Sequence, residues 1–152
     1  ARQLVTEVSH DQQRLAVFRL AFELRQPGVD ALMQDRTEIA AVQETLASLG
    51  FETVHLERLS FAQQVRLFHA ADCIVGAHGA GFANLLFAGR ARVLELFSRD
   101  GFKPLYFFLC HSLGLQHDFL CGGAGNRRED FTVDLDDLKR SLETMLAATA
   151  SD

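Results

Sequence analysis

The sequence lacks the features that mark membrane, secreted and disulfide-stabilised proteins. Its 152 residues contain no apolar run near the roughly 18 to 20 residues that a membrane-spanning helix needs, and no basic and then apolar leader opens the chain. It has no Asn-x-Ser/Thr glycosylation site, and its three cysteines, Cys73, Cys110 and Cys121, form no CxxC pair. An odd number of thiols indicates a reducing compartment or unpaired thiols in the core. Together with the missing glycosylation site, it leads us to expect a cytoplasmic protein.

Basic residues are also few. Fifteen Lys and Arg against 20 Asp and Glu give a net charge of −5, which argues against a general nucleic-acid-binding surface. Hydrophobic residues make up 48% and charged residues 23%, as is typical of a globular domain, and the length fits one such domain. The chain begins at Ala1 rather than at Met, so we expect a processed product or an excised piece of a longer protein.

Several metal and nucleophile motifs are missing as well. Cys110, His111, His117 and Cys121 could be gathered into a zinc site, but their spacing matches no standard pattern, so we predict no metal ligands. The Asp-x-Asp sequence at residues 134–136 is better interpreted as the start of a helix. The absence of Gly-x-Ser-x-Gly argues against a hydrolase.

What the sequence does contain is an alternation of helical and strand-like periods. The predicted helices cover residues 15–22, 39–49, 60–68, 84–88, 104–113 and 134–146. The predicted strands cover residues 29–33, 51–56, 73–75, 92–97 and 115–120, and residues 122–126 are predicted to form a loop. Gly50 and Gly114 are natural helix stops, and Ser60 with Gln63 has the form of a capping box. This alternation predicts a Rossmann-like, three-layer α/β domain with a mainly parallel sheet covered on both faces.

A glycine-rich segment, residues 75–84 (VGAHGAGFAN), is the most informative stretch. It follows a predicted buried strand and precedes a helix, where backbone amides can approach an anionic ligand closely. Its G-x-x-G-x-G spacing is neither the dinucleotide fingerprint nor a P-loop, so NAD and ATP P-loop binding are not supported. The alternative is that the glycines only make a tight turn.

Two titratable residues near this segment are candidates for function. His78 could donate to a phosphate or exchange a proton near neutral pH; alternatively, it hydrogen-bonds the loop backbone and shapes the turn. Glu95 interrupts an apolar strand, where a carboxylate needs a partner or an opening to a cleft. It could accept hydrogen bonds from ribose hydroxyls, or it could face water on an edge strand.

The local charge favours an anionic ligand. Residues 76–103 contain four basic residues and two acidic residues, a balance of +2 within a chain of −5. Arg99 and Lys103 follow the carboxyl end of a predicted strand, so we predict them to be phosphate partners.

Three stretches resemble a known family. They are residues 59–68 (LSFAQQVRLF), 71–87 (ADCIVGAHGAGFANLLF) and 93–96 (VLEL). In this order they are similar to the signature of glycosyltransferase family 61, which has a Leu-Ser-Phe-x-Glu/Gln-Gln helix, a His-Gly-Ala-Gly-Leu-Thr-Asn-x-x-Phe block and a Val-Leu-Glu-Leu strand. The resemblance runs from about residue 37 to residue 146.

The resemblance implies one half of a GT-B enzyme, in which two Rossmann-like domains flank a cleft. The C-terminal domain of such an enzyme binds a nucleotide-sugar donor, often a UDP-sugar, without an obligatory cofactor, and the N-terminal domain helps to bind the acceptor. The implied activity is inverting transfer to a glycan or polysaccharide hydroxyl, as in bacterial capsule synthesis. We therefore expect residues 1–152 to form one donor-binding domain, with a family-like core at 36–150 and an N-terminal helical extension at 1–35. The parent chain or a partner subunit would supply the acceptor domain.

The family motif assigns roles to individual residues. The donor loop would comprise Gly76, His78, Gly79, Ala80, Gly81 and Asn84. Glu95 would contact the ribose. Among the loop residues, His78 is the candidate catalytic base; the alternative is a base in the acceptor domain. The sequence departs from the family at residues 33–39 (MQDRTEI), where one arginine, Arg36, stands in place of an Arg-Arg pair and Glu38 in place of an asparagine. The second hypothesis is therefore a non-catalytic Rossmann-like module derived from such an enzyme.

Overall fold

The computed structural model describes residues 19–22, 33–125 and 131–150, and for residues 19–22 and 33–39 it describes the backbone. The strands are β1 (Arg19–Phe22), β2 (Glu52–Val54), β3 (Cys73–Ala77), β4 (Arg92–Phe97) and β5 (Gln116–Cys121). The α-helices are α1 (Met33–Ser48), α2 (Phe61–Ala70), α3 (Leu105–Leu113) and α4 (Leu135–Thr149). Two 3-10 helices cover Leu56–Arg58 and Ala80–Phe87.

The five strands form one parallel sheet in the order β2-β1-β3-β4-β5. From β1 the order runs one way to β2, and from β3 it runs the other way to β4 and β5. The order therefore reverses between β1 and β3, which lie side by side with Phe22 opposite Gly76. The prediction of an α/β domain with a parallel sheet is confirmed.

Helices cover both faces of this sheet. Successive residues of a strand point to opposite faces. Ile74 and Val93 pack in one cluster with side chains of α2, α3 and the 3-10 helix Ala80–Phe87. Val75 and Leu94 pack in a second cluster with side chains of α1 and α4. We call these the α2/α3 face and the α1/α4 face.

Short-range sequence signals set several helix ends. Ser60 and Gln63 form a complete capping box at the start of α2, as predicted. Gly50 and Gly114 adopt φ values of 78° and 70°, the left-handed conformation that glycine enters without steric cost. Asp134 caps α4 by accepting a hydrogen bond from the Asp137 backbone N–H.

The structure corrects three predictions about secondary structure. The helix predicted over residues 15–22 is wrong at Arg19–Phe22, which forms β1; residues 15–18 lie outside the described residues. Pairing with both β2 and β3 outweighs the helical spacing of the apolar residues there. The strand predicted at 29–33 lies outside the described residues except for Met33, which begins α1. The helix predicted at 84–88 is a 3-10 helix that begins four residues earlier, at Ala80.

These corrections bear on the N-terminal boundary. Arg19–Phe22 lies inside the sheet, so the helical extension predicted over residues 1–35 is wrong at those four residues. The prediction of a single donor-binding domain over residues 1–152 stays a prediction.

Two further features concern the surface. Among the described residues, no helix is both long enough and apolar enough to cross a membrane. A cavity of about 250 Å³ lies at the amino ends of β4 and β5, where Arg90 and Arg92 line it with Asp72 and Gln116. It lies at the opposite edge of the sheet from the glycine-rich segment, which follows the carboxyl end of β3.

Candidate functional site

The glycine-rich segment begins in β3 and ends in the 3-10 helix Ala80–Phe87. Gly76 is buried in β3, and Gly79 forms the boundary with the 3-10 helix. Gly79 has φ 171° and ψ 178°, an extended conformation that any residue can adopt. This backbone conformation does not require glycine. A tight turn therefore does not explain why residue 79 is a glycine. The missing side chain instead leaves the backbone open to close approach by a ligand.

Asn84 ties this segment to α2. Its buried amide nitrogen donates to Gln64 Oε1 at 3.0 Å and to the Gly81 carbonyl at 3.2 Å. Gln64 in turn donates to the carbonyls of Leu56 and Leu59. Asn84 therefore holds the loop in place with both of its amide hydrogens. Gln64 was not among the predicted site residues, although it lies in the quoted motif at residues 59–68.

Glu95 is the buried charge of the site. It lies in β4 between β3 and β5, and its side chain is 0% exposed, so the prediction of an edge strand with Glu95 facing water is wrong. Its Oε1 lies 2.6 Å from His78 Nδ1 and its Oε2 lies 2.8 Å from His117 Nε2. An ionised carboxylate can only accept hydrogen bonds, so both imidazoles donate to it. A ribose could contact Glu95 only if the fully buried carboxylate became accessible, and its assignment as the ribose contact stays a prediction.

His78 follows β3 directly and faces the carboxylate. Its backbone N–H donates to the Leu96 carbonyl at 2.8 Å, which continues the β3–β4 pairing by one residue. Its side chain bonds Glu95, so the alternative of a side chain bonded to the loop backbone is not what the structure shows. The ring is 21% exposed. Because Nδ1 is used by Glu95, Nε2 is the nitrogen left for a ligand.

His117 completes the group, and the sequence analysis missed it as a site residue. It lies on β5 opposite Val93, on the same sheet face as Glu95. Its side chain is 4% exposed. Its Nδ1 is buried and has no hydrogen-bond partner among the described residues. The signal that could have found it is a lone histidine in the strand next to a buried glutamate. We call these three residues the His78–Glu95–His117 triad.

Aromatic rings surround the triad. Phe97 stacks on His78 with a centroid distance of 4.9 Å, and Tyr106 of α3 lies 5.5 Å from the same ring. Phe107 of α3 meets His117 edge-on at 6.0 Å. Phe102 packs on Phe97 and is half exposed. The rings keep water from the carboxylate and restrict the orientation of both imidazoles.

The negative charge of Glu95 also affects the pKa of a neighbouring thiol, that of Cys110. Burial raises the pKa of Cys110 from 9.0 to about 11, and the negative charge of Glu95 adds to this rise. Cys110 lies fully buried on α3. It is therefore a protonated thiol at neutral pH, which argues against a role as nucleophile.

The remaining predicted site residues lie on the surface or in the loop. Ala80, Arg99 and Lys103 are exposed, and Gly81 is buried beneath the loop. Arg99 and Lys103 follow the carboxyl end of β4, as predicted, but no contact with the triad brings them into the site. Their assignment as phosphate partners stays a prediction.

The residues considered for zinc are scattered. Cys110 is buried on α3 and His111 is exposed on the same helix, while His117 bonds Glu95 and Cys121 is exposed on β5. Within the part of the chain that the structure describes, no three His, Cys, Asp or Glu side chains are grouped so that they could hold a metal ion.

Comparison with known families identifies the segment that contains this loop. The sequence model of Glycosyltransferase 61 matches residues 19–94, which are half of the chain and run from the first residue of β1 to the third residue of β4. The chain belongs to glycosyltransferase family 61. The family resemblance seen in the sequence is confirmed, although the match begins before residue 37 and ends at residue 94 rather than at residue 146. A search of curated proteins gave no match.

The family 61 match covers one of the three triad residues. It includes His78 and the whole glycine-rich segment, and it ends one residue before Glu95. The family therefore supports a transferase domain built around this loop. The contacts of Glu95 and His117 come from the structure alone.

Proposed function

We propose that this family 61 domain binds a nucleotide-sugar donor, a UDP-sugar, at the carboxyl edge of its sheet and serves transfer of the sugar to a glycan or polysaccharide hydroxyl. The observation that carries the proposal is the position of the glycine-rich segment. It follows β3 at the reversal of strand order between β1 and β3. In open parallel sheets, ligands bind beyond the carboxyl ends of the strands at such a reversal.

The diphosphate of the donor fits the loop best. The connection after β3 leads to the α2/α3 face, and the next described element after β1 is α1 on the other face. In sheets of this kind, ligands bind between two such strand ends. Gly79 has no side chain to block the approach of phosphate oxygens to the backbone. Arg99 and Lys103 are exposed cations that could reach the phosphates from the end of β4.

The proposed reaction is an inverting displacement at the anomeric carbon. The acceptor oxygen forms a bond to that carbon, its proton passes to a base, and the bond to the phosphate oxygen breaks with its electron pair leaving on the diphosphate. The domain stabilises the negative charge that develops on the leaving group. We assign His78, which directly follows β3, to the part of the donor that reacts, where the anomeric carbon is bonded to the diphosphate. No obligatory metal is proposed.

The wider setting is part of the proposal. The family supports a domain that works as the donor half of a GT-B enzyme with Rossmann-like halves, opposite an acceptor domain from the parent chain or a partner subunit. Such an enzyme would act in the cytoplasm on capsule or other surface polysaccharides.

Titration of the purified chain with UDP tests donor binding. We expect a dissociation constant below about 1 mM, and we expect His78→Ala to weaken binding by roughly 10- to 100-fold through loss of one charge-assisted hydrogen bond. Isothermal titration calorimetry measures both. His111→Ala is the matched control, because His111 is an exposed histidine near the end of α3. A folded chain that binds no UDP at millimolar concentration would contradict the proposal.

The second candidate is a non-catalytic binding or regulatory module. The single arginine in residues 33–39, where the resemblance leads one to expect a pair, favours it. A chain that binds UDP but gives no transfer when joined to its acceptor domain would support this candidate.

A further inference from the structure

The charges around Glu95 are not balanced. Glu95 is fully buried, and in the described part of the chain its ion-pair partners are the two histidines of the triad. Neutral imidazoles satisfy its hydrogen bonds but leave its negative charge uncompensated. A proton added to either imidazole would neutralise the buried charge.

The burial of the two rings decides which histidine can take that proton. His117 donates through Nε2, so a second proton would go to Nδ1, which is buried and has no acceptor among the described residues. A buried N–H without an acceptor is costly. His78 donates through Nδ1, and its ring is 21% exposed, so a proton on its Nε2 can reach water or a ligand.

We propose that His117 keeps its neutral form and fixes Glu95, and that the triad takes up its proton at His78 Nε2 when a diphosphate binds. The resulting imidazolium donates its Nε2–H to the diphosphate. It supplies positive charge in a chain that has one arginine, Arg36 of α1, where the resemblance leads one to expect two. Glu95 and His117 are then positioning residues, and His78 is the residue that touches the ligand. The identity of the ligand rests on the proposed function, whereas the choice between the two histidines does not.

The titratable groups around the triad are few. Glu95 of β4 and Tyr106 of α3 contact His78, and His117 of β5 reaches it through Glu95. Cys110 of α3 lies within the field of Glu95 and stays protonated. Tyr106 and Cys110 do not compete with His78 for the added proton, because both are already protonated at neutral pH and gain no charge below it.

The first test uses the free chain and needs no nucleotide. Nitrogen NMR of the imidazole rings distinguishes the two neutral tautomers from the imidazolium. As the pH is lowered, we expect the first proton to appear on Nε2 of His78 while His117 keeps the neutral form with hydrogen on Nε2. Protonation of His117 before His78 would overturn the proposal. The exposed His111 serves as the reference signal for a histidine outside the triad.

The second test measures protons during ligand binding. Calorimetric titration with UDP at about pH 7.5, in two buffers of different ionisation enthalpy, gives the number of protons taken up. We expect net uptake in the wild type and in His111→Gln, and none in His78→Gln. Binding without proton uptake would overturn the proposal but leave the proposed function standing. Absence of any binding would contradict the proposed function, and the first test would still decide where the proton goes.

Two further variants separate positioning from folding. Glu95→Gln removes the charge, so we expect it to bind UDP at least tenfold more weakly and without proton uptake. His117→Gln keeps a side-chain N–H near Glu95, so we expect it to retain proton uptake. If Glu95→Gln does not fold, His117→Phe is tested instead, because it removes one hydrogen-bond donor to Glu95. We expect His117→Phe to bind UDP more weakly than the wild type. Unchanged binding in the folded variant of this pair contradicts a positioning role.

Discussion

Glu95 shows how far the role of one residue depends on its neighbours. In the sequence it is a carboxylate in an apolar strand, which is compatible with an edge position or with a ribose contact. In the fold it is 0% exposed and bonded at both oxygens by histidines from the adjoining strand and loop. A buried carboxylate needs such donors, because it loses its hydration on folding. Its contacts make Glu95 an internal partner of His78.

The three cysteines should differ sharply in reactivity. Cys121 is exposed, whereas Cys73 and Cys110 are buried. The raised pKa of Cys110, from 9.0 to about 11, lowers its thiolate fraction roughly 100-fold near pH 8. In the native chain, we expect a disulfide reagent to react rapidly with one thiol, that of Cys121. This rapid reaction should be absent in Cys121→Ser. Cys110 and Cys73 should react only after the chain is unfolded.

The same pKa gives a stability change at alkaline pH. A pKa raised in the folded state means that the Cys110 thiol stabilises the fold fully below about pH 9, and this contribution is lost as the pH rises toward about 11. Cys110→Ala should therefore lose less stability than the wild type over this interval, as measured by denaturant unfolding. An equal loss in both proteins would contradict the assignment to Cys110.

At the scale of the element, the 3-10 helix Ala80–Phe87 depends on α2 for its position. Asn84 and Gln64 connect the two, and Gln64 donates to the carbonyls of Leu56, the first residue of the 3-10 helix Leu56–Arg58, and of Leu59, which follows that helix. The hydrogen bond from Asn84 to Gln64 therefore joins two motifs of the sequence, residues 59–68 and residues 71–87. This bond gives a physical reason for both motifs to occur in one chain.

Asn84→Ala should disturb the loop more than the helix. It leaves Gln64 Oε1 and the Gly81 carbonyl without their partner, so we expect a stability loss of about 1 to 3 kcal/mol and weaker UDP binding. Gln63→Ala, which removes only the side-chain half of the capping box, should cost less than about 1 kcal/mol and leave UDP affinity unchanged. Thermal unfolding and calorimetry measure the two effects. Equal loss of affinity in both variants would count against a loop-positioning role for Asn84.

At the scale of the whole molecule, the proposed site lies on one face of the sheet. The triad and its aromatic neighbours lie on the α2/α3 face and at the carboxyl edge, whereas α4 packs on the other face. Stability contributed by the α1/α4 face should therefore be separable from ligand binding.

Leu142→Ala tests this separation. Leu142 is fully buried on α4 in the cluster that contains Val75 and Leu94. We expect a loss of about 2 to 5 kcal/mol in the free energy of unfolding, with the UDP affinity of the folded protein unchanged. Leu135→Ala on the same helix should cost less than about 1 kcal/mol, because Leu135 is exposed. Denaturant unfolding and UDP titration together measure the outcome, and reduced affinity in folded Leu142→Ala would show that the faces are coupled.

The sequence by itself determined the elements whose signals are local. The capping box at Ser60, the glycine stops at Gly50 and Gly114 and the apolar run of β4 each act through a few neighbouring residues, and all appear in the structure. The alternation of these elements also predicted the parallel sheet, because parallel strands need helical crossovers. The family followed from motifs that lie within continuous segments of chain.

Only the tertiary structure decided the composition of the triad and the place of β1. His78, Glu95 and His117 are 17 and 22 residues apart along the chain, and parallel pairing of β3, β4 and β5 brings them together. The helix predicted at Arg19–Phe22 became β1 because pairing with two strands outweighs a helical pattern over four residues. Burial then set the difference between the two histidines, and burial depends on what packs around a residue rather than on the residue's identity.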